Sequence, residues 1–146
     1  MSNLPPDRSV FLEELARHLE QQAGSSRHLA LIIVHLARLR DINRTYGFHI
    51  GDEMVSQSVQ RMRSILRERD RLYRLSDSEF AIVLPDLINV SIVQLAVTRL
   101  AEVNREYIQC GDARFSADAV FGIAIFPSDA KTALDLIHCT QMALHI

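Results

Sequence analysis

The sequence lacks the features that mark several special classes of protein. It has two cysteines in 146 residues, Cys110 and Cys139, and neither fits a metal-ligand spacing, which excludes a disulfide-stapled miniprotein and a cysteine metal site. The longest apolar run covers residues 29–34, far fewer than the roughly 18 residues of a transmembrane helix. The N-terminus has no basic start followed by an apolar core, so it does not resemble a secretory signal. We therefore expect a cytoplasmic location, with no membrane contact by this chain.

A surplus of positive charge is also absent. Lysine and arginine together number 16 against 18 acidic residues, a net charge of −2, whereas general nucleic-acid binders neutralise phosphates with surplus cations. We therefore expect no nucleic-acid partner. Lysine itself is scarce, because Lys131 stands beside fifteen arginines. Arginine grips phosphates and planar bases better than lysine does, but a GC-rich genome produces the same bias, and both interpretations stay open.

The patterns that are present indicate one domain over residues 1–146, of ordinary globular composition with 48% hydrophobic and 23% charged residues. Helical periodicity predicts helices over 9–21, 37–46, 51–67, 91–106 and from 133 onward. Apolar runs predict strands over 29–36, 71–75, 79–84 and 115–126. The turn Ser76-Asp77-Ser78 predicts a β-hairpin that Pro85-Asp86 closes. We expect an α+β fold, with a single mixed β-sheet that contains an antiparallel hairpin and has helices packed on its faces.

Three segments carry a resemblance to a known family. Residues 40–47 read Arg-Asp-Ile-Asn-Arg-Thr-Tyr-Gly, Gly51-Asp52-Glu53 follows, and residues 74–80 read Arg-Leu-Ser-Asp-Ser-Glu-Phe. In order and spacing they resemble the GGDEF domain family, the diguanylate cyclases, over nearly the whole chain. The resemblance implies a nucleotidyl-cyclase-like fold. It also implies a chemistry in which two GTP molecules meet across a dimer and two carboxylates hold the divalent metal that neutralises phosphate charge.

The residues that would hold this metal are missing. The resemblance places the family's acidic positions on His35 and Ala37, and the metal carboxylate of its signature on Ser78. None of the three can serve, so we expect no magnesium cofactor and no catalytic residue. The alternative is that Asp77, one position before Ser78, acts as a shifted metal ligand. His35 itself is expected in the core, hydrogen-bonded to a backbone carbonyl.

The signature loop is altered as well. Ser76 and Asp77 stand where the family has two glycines, and only Glu79 and Phe80 match its last two residues. Glycine allows a backbone to approach a nucleotide without a Cβ in the way. The two substitutions therefore add bulk, and Asp77 adds negative charge beside the phosphates.

The positions that read guanine in the family are retained, on Asn43 and Asp52. A carboxylate that accepts hydrogen bonds from the N1 and N2 groups of guanine is a sound pairing, so both residues are candidates for binding GTP. The alternative is that Asn43 caps a turn and Asp52 caps the helix that starts near Glu53. Either role explains the two residues.

A second candidate site lies at Arg67 and Asp70. The family's product-inhibition motif, Arg-x-x-Asp, binds cyclic di-GMP a fixed distance before the signature, and residues 67–70 occupy that register. Arg99 on the following helix is a candidate third contact. The alternative is a solvated helix end, with Arg67 favourable at the helix C-terminus and Asp70 paired locally.

The resemblance thus favours a catalytically inactive regulatory or dimerisation domain of cyclic di-GMP signalling. Its expected partners are GTP or cyclic di-GMP, a second copy in a homodimer, and an EAL-type phosphodiesterase domain in the same or a partner chain. The alternatives are residual cyclase activity and a scaffold that binds no nucleotide. Because the family's last helix continues beyond position 146, we also expect the C-terminal end to be truncated.

Overall fold

The computed structural model describes residues 4–144; the chain end, where truncation is expected, lies outside them. The helices are α1 (Arg8–Gln22), α2 (Leu39–Tyr46), α3 (Phe48–Ile65), α4 (Ser91–Arg105) and α5 (Ala133–Leu144). The strands are β1 (His28–Leu36), β2 (Arg71–Arg74), β3 (Glu79–Leu87), β4 (Ile108–Cys110), β5 (Ala113–Phe115) and β6 (Ala119–Phe126). None of these helices combines the length and apolar character needed to cross a bilayer.

The main sheet has the strand order β2-β3-β1-β6, and each of its three ladders is antiparallel. The expected α+β class is therefore confirmed. Among the described residues, however, this sheet is purely antiparallel and not mixed as expected. The expectation of a single sheet is wrong, since β4 and β5 form a separate two-stranded sheet. The expected strand over 115–126 is broken because Asp118 takes a positive φ of 50° and its N–H donates to the Ser116 hydroxyl.

Strand β1 lies at the centre of the sheet and divides the core in two. Successive side chains of a strand point to opposite faces. Even-numbered residues 30–36 join one core with α2, α3 and α4, and odd-numbered residues 29–33 join the other with α1 and α5. The strand is continuously apolar because both of its faces are buried.

A β-bulge in β3 corrects the expected end of the hairpin. Leu84 pairs with Ala30 and Leu87 pairs with His28, so two residues of β3, Pro85 and Asp86, stand opposite one residue of β1. A bulge tolerates proline within a strand because its residues leave the regular ladder. Pro85-Asp86 therefore bends β3 instead of closing it, and the strand continues to Leu87.

Helix α3 begins three residues earlier than expected and ends two residues earlier. The break before it falls at Gly47, whose φ of 92° is open to glycine but strained for other residues. The N–H of Gly47 donates to the Asn43 carbonyl oxygen at 2.9 Å, which ends α2. The two helices thus meet in a sharp corner at the end of β1.

Helix α1 is fixed to the sheet through Tyr73 of β2. The Tyr73 ring packs against Phe11 with centroids 5.3 Å apart, and its hydroxyl donates to the Glu14 carboxylate. Burial, aided by this hydrogen bond, raises the pKa of Tyr73. Burial also lowers the pKa of His18, one turn further along α1. The hydrogen bond to Glu14 thus gives the buried tyrosine hydroxyl a partner.

We predict that Gly122→Ala destabilises the domain by about 1 to 3 kcal/mol, the usual cost of overpacking. A Cβ on Gly122 would overlap the Thr140 carbonyl oxygen, so α5 would have to move away from β6. Urea unfolding measures the loss. Val120→Thr, on the same strand but 39% exposed, should stay within about 0.5 kcal/mol. An unchanged midpoint for Gly122→Ala would contradict the close packing of α5.

Candidate functional site

A cleft of about 920 Å³ lies where β1 ends, between α2 and the turn joining β2 to β3. We call it the hairpin cleft. Its lining residues are His35, Leu36, Ala37, Leu39, Arg40, Asn43, Arg44, Phe48, Ser76, Asp77 and Ser78. The structure therefore brings together the three positions expected to have lost their metal carboxylates, the altered part of the signature loop and one guanine-reading candidate.

The signature loop is held by several hydrogen bonds of ordinary length. The Leu36 N–H donates to the Ser78 carbonyl oxygen at 2.8 Å, and the Glu79 N–H donates to the Ser76 hydroxyl at 3.2 Å. The Arg74 guanidinium binds the carbonyl oxygens of Ser76 and Asp77 at 3.1 and 2.8 Å. Ser76 therefore fixes the turn through its hydroxyl, an interaction that glycine could not make.

The donor set of the hairpin cleft does not fit magnesium. Mg²⁺ prefers several oxygen ligands in octahedral geometry, usually including carboxylates. Asp77 supplies the one carboxylate of the lining, beside the His35 imidazole and the Ser78 hydroxyl. Between residues 4 and 144, moreover, no three His, Cys, Asp or Glu side chains form a group suited to a metal ion.

His35 departs from its expected role. It is half-buried, and its Nδ1 is buried without a hydrogen-bond partner among the described residues. The expected hydrogen bond of the His35 imidazole to a backbone carbonyl is not present among residues 4–144. Because β1 ends here and α2 turns away, the ring lines the cleft and not the closed core.

Asn43 has an unsatisfied oxygen, because its Oδ1 is buried without a partner in the described part of the chain. The side chain lies over Gly51, where a Cβ would overlap this same Oδ1. In the part of the chain that the structure describes, the Asn43 side chain makes no capping hydrogen bond, so the alternative that it caps a turn is wrong. An unpaired buried acceptor is costly, and a ligand that donates a hydrogen bond would satisfy it.

Asp52 is exposed and lies inside α3, which begins at Phe48 with Gly47 at its N-cap. The alternative that Asp52 caps this helix is therefore wrong. Asp52 is not among the residues that line the hairpin cleft, so the structure brings only Asn43 of this pair into it. The assignment of both residues to guanine stays a prediction.

Two arginines of the hairpin cleft were not singled out from the sequence. Arg40 and Arg44 are four residues apart on α2, so they lie on one side of the helix, and both line the cleft. The two arginines outnumber the single carboxylate of the lining, Asp77, so the lining has an excess of positive charge. Their i, i+4 spacing is the sequence signal that could have found them.

A second cleft, of about 660 Å³, contains the Arg-x-x-Asp segment. We call it the arginine cleft. Its lining residues are Arg27, Arg67, Glu68, Arg69, Arg71, Asp86, Ile88 and Ile92. Four guanidinium groups from two separate parts of the chain, residue 27 and residues 67–71, thus meet beside two apolar side chains.

Arg67 and Asp70 form a closed pair within a turn after α3. The Asp70 carboxylate accepts from the Arg67 N–H at 2.7 Å and from its Nη2 at 2.8 Å, with Nε at 3.1 Å. Arg67 Nη2 also donates to the Pro85 carbonyl oxygen at 3.2 Å. The Asp70 side chain is 3% exposed. The geometry agrees with the alternative that Asp70 pairs locally, although the pair belongs to a turn and not to a helix end.

Arg99 is exposed on α4 and does not line the arginine cleft, to which α4 contributes Ile92 instead. Arg27, Arg69 and Arg71 were not predicted from the sequence as site residues. Arg71 donates to the carbonyl oxygens of Glu68 and Asp70, which fixes the turn from its other side. Arg27 precedes β1, so only the tertiary fold places it near the other three.

Comparison with known proteins identifies the family. The model of the diguanylate cyclase GGDEF domain matches residues 1–146. The diguanylate cyclase TpbB of Pseudomonas aeruginosa is 29% identical over 142 residues, 97% of this chain and 33% of TpbB. The crystal structure of its GGDEF domain matches with a TM-score of 0.92 at 28% identity, covering 97% of this chain and 88% of that one. This chain belongs to the GGDEF domain family and thus to cyclic di-GMP signalling.

A phosphodiesterase is also among its relatives. NbdA of Pseudomonas aeruginosa, a cyclic di-GMP phosphodiesterase, is 28% identical over 139 residues, 95% of this chain and 18% of NbdA. The chain spans about a third of TpbB and less than a fifth of NbdA. Similar GGDEF domains therefore occur in longer proteins named for opposite activities.

We predict that Arg67→Ala lowers the free energy of unfolding by about 1 to 3 kcal/mol, because it leaves the buried Asp70 carboxylate with fewer donors. Urea unfolding monitored by circular dichroism measures the change. Arg63→Ala, the same replacement at an exposed position of α3, should stay within about 0.5 kcal/mol. Equal losses for the two variants would show that the Arg67 pair contributes nothing particular.

Proposed function

We propose that this domain is a catalytically inactive GGDEF module that regulates cyclic di-GMP signalling without making cyclic di-GMP. The observation that carries the proposal is the lining of the hairpin cleft. Asp77 is its one carboxylate, and His35, Ala37 and Ser78 occupy the positions where the family holds its metal. Without a carboxylate pair, nothing positions a divalent cation to neutralise the charge that develops on the α-phosphate.

Guanine nucleotide binding is the second part of the proposal. The unsatisfied Oδ1 of Asn43 is an acceptor for a guanine N–H, and Asp52 on the next helix is the expected second acceptor. Arg40 and Arg44 line the same cleft and offer charged donors to phosphates. Binding of this kind needs no metal, because arginines take over part of the charge neutralisation.

The arginine cleft supports binding of cyclic di-GMP, the third part of the proposal. Arg67, which is held by the buried Asp70, lines this cleft, and the further guanidinium groups suit the two phosphates of such a ligand. A cytoplasmic domain of this kind would pass the ligand's presence to an EAL-type phosphodiesterase domain or to a second copy of itself. The cyclic di-GMP phosphodiesterase among its relatives supports this partnership.

Residual cyclase activity is the competing function, and one observation favours it. TpbB, at 29% identity, is named a diguanylate cyclase. In this chain Asp77 would have to act as a shifted metal ligand from an exposed turn. A product assay distinguishes the two functions directly.

We predict that the domain, incubated with GTP and Mg²⁺ or Mn²⁺, forms no cyclic di-GMP above a protein-free blank, because the carboxylate pair is missing. Chromatography of the reaction products measures this. Product that disappears in Asp77→Ala would establish the competing function and refute inactivity.

We predict that millimolar GTP raises the melting temperature of the domain by a few degrees and that ATP does not, since a ligand of the native state stabilises it by mass action. A chelator should leave the shift unchanged. Asn43→Ala should abolish it, whereas Gln94→Ala, which removes an exposed amide on α4, should preserve it. Equal shifts with GTP and ATP, or none, would refute guanine recognition.

A further inference from the structure

Asp86 occupies an unusual place at the mouth of the arginine cleft. It is the second residue of the β3 bulge, and its φ of 58° lies in the left-handed region. Its N–H donates to Oε1 of Gln22, at the end of α1, at 3.1 Å. Bulges redirect side chains out of the regular alternation of a strand. Here the redirected side chain is a carboxylate that lines the cleft.

The Asp86 carboxylate joins two arginines that come from different loops. Its Oδ2 lies 2.9 Å from Nη1 of Arg69, in the turn before β2, and its Oδ1 lies 3.6 Å from Nη1 of Arg27, in the turn before β1. All three side chains are exposed by 40% to 57%. Exposed ion pairs of this kind contribute little stability, so their partners exchange at low cost.

The other two arginines of the cleft have fixed partners. Arg67 is bound to the buried Asp70 and to the Pro85 carbonyl oxygen. Arg71 is bound to two carbonyl oxygens of the turn. Arg27 and Arg69 are therefore the guanidinium groups of the cleft whose partner, Asp86, is an exposed side chain that can be displaced.

We propose that Asp86 is an internal counter-ion of the arginine cleft, which a phosphate-bearing ligand must displace from Arg27 and Arg69. This rests on the proposed binding of cyclic di-GMP. Competition by Asp86 weakens the binding of every anion to the cleft. The effect is strongest for anions of low charge, because such an anion only replaces the charge of the displaced carboxylate and gains no net electrostatic energy. Asp86 thus sets the ligand concentration at which the cleft becomes occupied. It also gives the cleft a preference for ligands with two phosphates.

The test is Asp86→Asn, which removes the charge and keeps a residue type that tolerates positive φ. Calorimetric titrations with cyclic di-GMP and, separately, with inorganic pyrophosphate should show binding that is roughly threefold to tenfold tighter than in the unsubstituted domain. Asp112→Asn, the same replacement in the exposed turn between β4 and β5, controls for net charge and should leave both affinities unchanged. Thermal melts verify that each variant folds.

Arg69→Gln provides the complementary arm. This variant should bind both probes about tenfold more weakly. Adding Asp86→Asn to it should increase the affinity by less than the same replacement does in the unsubstituted domain, since the two residues are coupled. If Asp86→Asn does not bind the probes more tightly, or if Asp112→Asn tightens binding equally, the proposal that Asp86 is a counter-ion is overturned. Tighter pyrophosphate binding without any cyclic di-GMP binding would support the counter-ion and refute the proposed ligand. No binding of either probe to any variant would overturn both.

Discussion

The position of β1 constrains the rest of this domain. It is hydrogen-bonded to β3 on one edge and to β6 on the other, and helices cover both of its faces. A one-residue shift in the register of this strand would move each of its side chains into the opposite core, where it would meet different packing partners. Both clefts depend on it, because His35 and Leu36 at the end of the strand line the hairpin cleft, and Arg27 directly before the strand lines the arginine cleft.

Much of the architecture could be predicted from the sequence because it follows from periodicity. The continuous apolar run of β1 indicates a strand buried on both faces, and the apolar stripe of α3 indicates a helix buried on one face. The small second sheet could not be predicted, since three-residue strands carry no periodic signal and their pairing depends on the turn at Gly111, whose φ is 58°. The bulge was missed because proline was taken as the end of a strand, although β1 remains paired beyond Pro85.

The candidate sites were predictable in part. The resemblance located both clefts, because local motifs keep their register in the fold. It could not show that Asp70 is buried and bound by Arg67, or that Asn43 has an unpaired oxygen over Gly51. Arg27 and Asp86 lie 59 positions apart along the chain. Contacts at such separation depend on tertiary packing, for which one sequence carries no direct sign.

The bulge in β3 also has a consequence for how this segment tolerates deletion. Removing Pro85 would restore regular pairing and place Asp86 opposite Leu29, whose side chain belongs to the core shared with α1 and α5. The carboxylate would then point into hydrocarbon, where an unpaired charge is very costly. The extra residue is therefore what keeps this acid in water, and a shorter β3 would first have to replace Asp86 with an apolar side chain.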